Sequence, residues 1–230
     1  VFTGSTDVAQ KINRTLAAKD GPIVPLIAET GGINAMIVDA TALPEQVADD
    51  VCLSAFRSAG QRCSALRLLV VQDDVADRMI ALIAGSAREL RIGDPRDIAT
   101  HIGPVIDDEA KARLDAYVAQ MTTQAIVHFA GQAPAAGTFV APHIFELKRV
   151  DDLRQEIFGP ILHVVRYAAG DLDPVLTASA RTGYGLTLGI HSRIDETIDT
   201  IIAGVRTGNI YVNRNMIGAV VGVQPFGGFG

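Results

Sequence analysis

The sequence predicts an α/β fold whose sheet is rich in parallel strands, and three observations carry that reading. Short apolar runs alternate with helical patterns along the chain, the rhythm in which helices cross over between parallel strands. Hydrophobic residues make up 48% of the 230, enough for a substantial core in one large domain or two modest ones. Charged residues are 20% and the net charge is −6, which argues against a disordered chain and against a nucleic-acid-binding surface. No internal repeat or low-complexity linker interrupts the pattern.

Taken in order, residues 1–8 read as strand, turn and helix. Ser5 or Thr6 caps a helix that carries Val8, Ile12 and Leu16, and the free N–H groups at such a start attract phosphate. Ile23 to Ala28 is expected as a short buried strand, with Pro25 near its start or at an edge. The turn Glu29-Thr30-Gly31-Gly32 follows, and then a strand over Asn34 to Val38. Pro44 suits the first turn of the next helix. In that helix Val47, Val51 and Ala55 form one apolar row and Ala48, Cys52 and Phe56 a parallel one, so Cys52 reads as structural. The helical pattern gives way to Gly60-Gln61-Arg62-Cys63-Ser64, and a strand runs over Leu66 to Val71.

An amphipathic helix with Val75, Met79, Leu82, Ile83 and Leu90 on one face comes next, with Gly93 as its expected C-cap. A loop then runs to Pro104, followed by a polar helix over Asp107 to Met121. Two strands are expected at Ala125–Phe129 and Thr138–Phe145, and another at Ile161–Tyr167 after the stretch Glu156-Ile157-Phe158-Gly159-Pro160. The alternation closes with a helix over Asp173–Arg181, a strand over Leu186–His191, a helix over Asp195–Val205 and a strand over Asn209–Asn213. The tail from Met216 to Gly230 is glycine-rich and nearly uncharged, which fits a packed loop whose exposed amides form an anion-binding nest.

The most informative stretch is the one that holds Cys63. A lone cysteine is ordinarily a small buried hydrophobe. The Gly-Gln-Arg-Cys-Ser run is too polar for a core, however, and places the thiol on a sharp turn between a helix and a strand. Gly60 frees the backbone to turn, and Arg62 beside the thiol would favour the thiolate. Glu29 sits in a second tight turn directly after an apolar run, at a strand's C-terminal end, where open α/β sheets build their sites. The two cysteines have neither metal-ligand nor redox-pair spacing, which predicts a reduced, cytoplasmic protein. The five histidines are scattered without a ligand pattern, so no metal site is predicted. No apolar run is long enough to span a bilayer, and no signal peptide opens the chain. The first residues read as the end of a strand and the last stop inside a glycine-rich loop, so the chain is expected to be a segment of a longer protein, inactive when isolated.

These motifs resemble those of the aldehyde dehydrogenase superfamily. Phe2-Thr3-Gly4-Ser5, Glu29-Thr30-Gly31-Gly32, Gly60-Gln61-Arg62-Cys63, Glu156-Ile157-Phe158-Gly159-Pro160 and Pro225-Phe226-Gly227-Gly228 occur in family order and span nearly the whole chain. The wording around Glu29, Cys63 and Tyr211 to Gly222 is similar to one branch, the L-glutamate-γ-semialdehyde (pyrroline-5-carboxylate) dehydrogenase region of bifunctional proline utilisation A enzymes.

The resemblance implies an aldehyde dehydrogenase-like catalytic domain over 31–215, a remnant of a Rossmann-type NAD-binding domain over 1–30, and a substrate-anchoring loop over 216–230. It implies NAD as cofactor and oxidation of glutamate semialdehyde to glutamate. Cys63 would be the nucleophile, its own N–H part of the oxyanion hole, and Glu29 the base that activates the hydrolytic water. Gly4 and Ser5 would meet the cofactor's pyrophosphate, Glu156 its nicotinamide ribose, and Phe158 its nicotinamide. Ser64 with the backbone of Gly218 and Ala219 would capture the substrate's α-carboxylate. Beyond the chain, the resemblance implies a proline dehydrogenase domain with FAD in the same parent, and a homo-oligomer. The family's oxyanion-hole asparagine and its adenosine-ribose lysine have no counterpart among these residues. A dehydrogenase for another aldehyde, or a non-catalytic fold fragment, are the alternatives.

Overall fold

The computed structural model describes residues 1–220 and 222–228. Val221, Phe229 and Gly230, which belong to the glycine-rich tail, lie outside the described residues.

Two sheets organise the chain. The smaller pairs β1 (Phe2–Thr3) with β2 (Ala28–Glu29) in parallel, joined by α1 (Thr6–Ala17). The larger is built from β3 (Asn34–Val38), β4 (Leu66–Gln72), β5 (Ile126–Ala130), β6 (His143–Glu146), β7 (Ile161–Tyr167), β8 (Thr187–His191) and β9 (Asn209–Val212). Its order is β5-β6-β7-β4-β3-β8-β9, parallel at every pairing except β5 with β6. The predicted parallel-rich α/β sheet is therefore present.

The helices are α2 (Pro44–Phe56), α3 (Asp73–Arg88), α4 (Asp108–Gln124), α5 (Leu172–Ala180) and α6 (Asp195–Gly204). The step from β3 to β4 runs one way along the sheet and the step from β8 to β9 the other. Right-handed crossovers then place α2 and α6 on opposite faces, consistent with the packing of α2 on α3 and of α5 on α6. Strands covered on both faces read as continuous apolar runs. Met36, Ile37 and Val38 of β3 and Leu68 to Val71 of β4 are wholly buried for this reason.

Several local expectations change. Ile23 to Ala28 is not a buried strand: only Ala28–Glu29 pairs, and Ile23 is 98% exposed. Its partner β1 is two residues long and reaches back only as far as Ile27 O, which accepts from Phe2 N–H at 2.9 Å. Gly93 does not cap α3. The helix ends at Arg88, and the Gly93 N–H instead donates to Ile102 O at 3.1 Å, beside a bridge between Ile92 and Ile102. The strand expected from Thr138 pairs only from His143. Thr138 is tied to Val105 by two hydrogen bonds of 2.8 Å, and Pro142 has no N–H to give a ladder. α2 stops at Phe56 because Ser58 and Ala59 take left-handed backbone angles (φ 56° and 53°), and Gly60 follows at φ 63°.

Candidate active site

The site lies between the two sheets. Gly4-Ser5 and Glu29 stand at the C-terminal ends of β1 and β2, as the usual rule for open α/β sheets anticipates. On the larger sheet the polarity is the reverse. The turns that hold Cys63 and Glu156 precede β4 and β7, and so sit at the strands' N-terminal ends. A cavity of about 800 Å³ opens where these edges meet. It is lined by all of Gly4, Ser5, Glu29, Cys63, Ser64, Glu156, Phe158, Gly218 and Ala219, residues scattered over the length of the chain. Another cavity of about 780 Å³, between α4 and residues 146–157, holds none of them.

Backbone geometry fixes the thiol turn. At Gly60 a Cβ would fall 2.1 Å from Gly159 O, so only glycine allows the turn to dock against the 156–160 loop. Asn34, buried at the start of β3, donates from Nδ2 to Cys63 O at 2.7 Å and to Ala65 O at 2.8 Å, and its Oδ1 accepts from Thr187 N–H at 3.2 Å. Gln61 reaches the other way: its Oε1 accepts from Ile106 N–H at 2.9 Å. The turn is thus held on three sides before any ligand is considered.

Electrostatics correct one expectation. Burial pushes the Cys63 thiol above its ordinary value of 9.0. The N–H groups of Ser64 and Cys63 pull it down, while the carboxylates of Glu156 and Glu29 push it further up. Arg62 is not among the groups that shift the thiol, and its Nε–H donates to Ser58 Oγ at 3.0 Å. Cys52 is buried on α2 as its helix position implied, and its thiol is pushed up to about 12.

The two carboxylates differ. Glu156 is held by Arg67 Nη2 at 3.4 Å and accepts from the Gly32 N–H, and a Cβ at Gly31 would lie 1.7 Å from its Oε2. Burial still raises it above the ordinary glutamate range. Among the described residues no side-chain partner holds the Glu29 carboxylate, which leaves it available to water in the cavity.

Ser5 is the N-cap of α1, its Oγ accepting from Val8 N–H at 3.4 Å. In the tail, Met216 N–H donates to Ser54 Oγ and Val220 N–H to Gln224 Oε1. Gly218 sits at φ 78°, and the amides of Gly218 and Ala219 have no protein acceptor among the described residues.

Sequence reasoning missed Arg67, Asn34 and Arg113. In the sequence Arg67 is marked only as part of the Leu66–Val71 strand, yet it is fully buried and touches both Glu156 and Phe158. Asn34 looked like a plain strand start. Arg113 lines the cavity from α4 and carries no motif.

Comparison with known proteins identifies relatives of the whole chain. The bifunctional protein PutA of Escherichia coli (strain K12) is 51% identical over the whole chain, which spans 18% of that protein's length. A 1-pyrroline-5-carboxylate dehydrogenase of Geobacillus kaustophilus is 36% identical over 99% of the chain, which spans 45% of it. A crystal structure of bifunctional proline utilization A superposes over the whole chain with a TM-score of 0.98 at 75% identity, the chain covering 23% of it. The crystal structure of a Thermus 1-pyrroline-5-carboxylate dehydrogenase with bound NAD matches with a TM-score of 0.90 at 32% identity, over 99% of this chain and 45% of that one. The family model for aldehyde dehydrogenases matches residues 1–230, and the chain belongs to the aldehyde dehydrogenase family.

Proposed function

We propose that this chain carries the thiol site of an NAD-dependent dehydrogenase that oxidises L-glutamate-γ-semialdehyde, formed from pyrroline-5-carboxylate, to L-glutamate, a step of proline catabolism. The observation that carries the reading is the single cavity lined by Cys63, Glu29, Ser64 and the Gly218-Ala219 backbone. The 1-pyrroline-5-carboxylate dehydrogenases among the relatives carry the same substrate in their names.

The residues fit the cofactor. The first-turn amides of α1 beside Gly4-Ser5 suit a pyrophosphate, although Asp7 in that turn already adds negative charge. Glu156 offers a fixed carboxylate for a ribose hydroxyl, and the Phe158 ring, 45% exposed, offers a face for a flat ring. Bound NAD⁺ supplies the acceptor for the hydride lost from the aldehyde carbon.

The chain's own groups do the rest. The raised Cys63 thiol gives its proton to water in the open cavity and its sulfur bonds to the aldehyde carbon, whose carbonyl electron pair moves onto oxygen, while N–H groups at the turn face the developing oxyanion. Once the hydride has left, the carbon is held as a thioester on Cys63. Glu29, unheld by other side chains, takes a proton from water; the hydroxide attacks, the carbon–sulfur bond breaks, and the acid is released. Ser64 Oγ and the two tail amides satisfy the substrate's α-carboxylate without a counter-ion.

In this reading 1–30 is part of a cofactor domain and 31–215 the catalytic domain, a boundary supported by the separation of the small sheet from the large one; 216–230 is the anchoring loop, a reading supported by Gly218 and Ala219 lining the cavity. We propose further a proline dehydrogenase domain with FAD in the same parent, a reading favoured by the bifunctional relatives, and a homo-oligomer. Free cysteines suit a reducing, cytoplasmic compartment; among the described residues no helix is long and apolar enough to cross a membrane.

The test is NADH formation by the intact protein from pyrroline-5-carboxylate and NAD⁺, beside Cys63→Ala and Ser64→Ala. We expect loss of turnover in the first and a KM raised about tenfold in the second, the worth of one hydrogen bond to a charged group. Turnover surviving in Cys63→Ala refutes the nucleophile. An unchanged KM in Ser64→Ala favours a dehydrogenase of another aldehyde.

A further inference from the structure

We propose that Arg67, seated at a bulge in the β3–β4 ladder and held there by His163 and Tyr117, is a positioning residue that locks Glu156 and Phe158 against the thiol turn and so sets the strength of NAD⁺ binding. The inference rests on the reading of the cavity given above.

The bulge is explicit in the register. Asn34 pairs with Leu66 and Ala35 with Leu68, so Arg67 is the extra residue on β4. A bulge re-aims the side chain it carries. Here it turns a guanidinium under the thiol turn, where it is 0% exposed. Nη1 donates to Gly159 O at 3.0 Å, Nη2 donates to Arg62 O at 3.2 Å and meets Glu156 Oε1 at 3.4 Å, and the guanidinium carbon lies 5.2 Å from the Phe158 ring centroid. One cation therefore touches the turn before Cys63 and three residues of the 156–160 loop.

Stability alone does not explain it. Burying an ion pair is commonly no better than filling the same volume with hydrocarbon. Among the described residues the Arg67 Nε–H has no acceptor, a further cost that a packing residue would avoid. What the guanidinium does supply is direction. Glu156 is pressed between Arg67 and the Gly31-Gly32 backbone, so its carboxylate has one place to be. Phe158 is supported on its Arg67 side while lining the cavity.

The bulge also frees the Arg67 carbonyl, and a buried histidine takes it. His163 Nδ1–H donates to Arg67 O at 3.1 Å, and Tyr117 O–H donates to His163 Nε2 at 2.7 Å. His163 is fully buried on β7, and burial pushes it down to about 4, so it stays neutral with one proton to give. The relay anchors the bulge from α4, outside the cavity.

The test is Arg67→Lys in the intact protein, which keeps the charge but cannot reach all the acceptors. NAD⁺ affinity is read by calorimetry, and Cys63 reactivity by iodoacetamide labelling without cofactor. We expect NAD⁺ to bind about tenfold more weakly, the size of a lost charge-assisted hydrogen bond, with labelling within about threefold of the parent. Parental NAD⁺ affinity overturns the proposal, as does a fall in labelling that matches the fall in affinity, which would mark Arg67 as general support for the turn. If the lysine variant does not fold, Tyr117→Phe replaces it: NAD⁺ binding about threefold weaker with normal labelling is expected, and unchanged affinity overturns the relay and the proposal with it. An unmodified protein that fails to bind NAD⁺ would instead overturn the cofactor reading.

Discussion

At the residue scale, Cys52 and Cys63 share a chain and differ in everything that sets thiol reactivity. Cys52 sits in the α2–α3 packing with its Sγ 3.8 Å from Ile83 O, and its thiol is pushed up to about 12. Cys63 is also raised above 9.0, but two backbone N–H groups partly offset the burial, and the side chain lines an open cavity. Iodoacetamide should therefore label Cys63 first. Because the thiolate is the reactive form, the rate should climb about tenfold per pH unit and keep climbing past pH 9, with no plateau near neutrality. A plateau near pH 7 would mean that a cation lowers the thiol after all. Glu29→Gln, with a parental burst of NADH and a slow steady rate, is the matching expectation for the base; a normal steady rate would remove Glu29 from hydrolysis.

At the scale of elements, the site depends on turns that side-chain patterns describe poorly. The strand–helix alternation was legible because burial imposes periodicity: β3, β4, β7 and β8 lie where their apolar runs are. The short motifs were legible because glycine and proline mark backbone geometry. Gly60 is the clearest case, with φ 63° and a neighbouring carbonyl where a Cβ would be. Arg67 was not legible, since a register shift of one residue leaves no trace in an apolar–Arg–apolar pattern. Nor was the exposure of Ile23, which depends on how little of β1 pairs with β2. Gly60→Ala tests the docking of the thiol turn. The new methyl meets backbone on both sides, Gly159 O at 2.1 Å and Ala55 O at 2.9 Å, so neither neighbour can simply rotate away. A loss of about 2–4 kcal/mol in urea unfolding is expected, from left-handed strain plus overpacking. A loss under about 0.5 kcal/mol would show that the turn relaxes freely.

At the scale of the whole molecule, buried neutral histidines tie stability to pH. His163 joins β7 to α4 and the β4 bulge, and His191 ends β8 beside Asp50 of α2; burial pushes each down to about 4. His143, packed against Phe145, is lowered as well. The unfolded chain titrates its histidines near 6.5, so between 6.5 and 4 it binds protons that the folded chain refuses. Stability is then fully present above pH 6.5 and falls as the pH drops through that window, by up to about 3 kcal/mol for each of His163 and His191. Asp50 and Glu156 act in the opposite sense: both are raised by burial, so as the pH falls toward their ordinary carboxylate range the folded state takes their protons first and recovers part of the loss. Urea unfolding of the intact protein from pH 7.5 to 4.5 should show a midpoint that holds above 6.5 and falls steadily from 6 to 4.5. A midpoint independent of pH from 7 to 5 would mean that both rings take their protons as readily in the native state as in the unfolded chain. The Tyr117–His163–Arg67 relay would then require the opposite proton arrangement at Nε2.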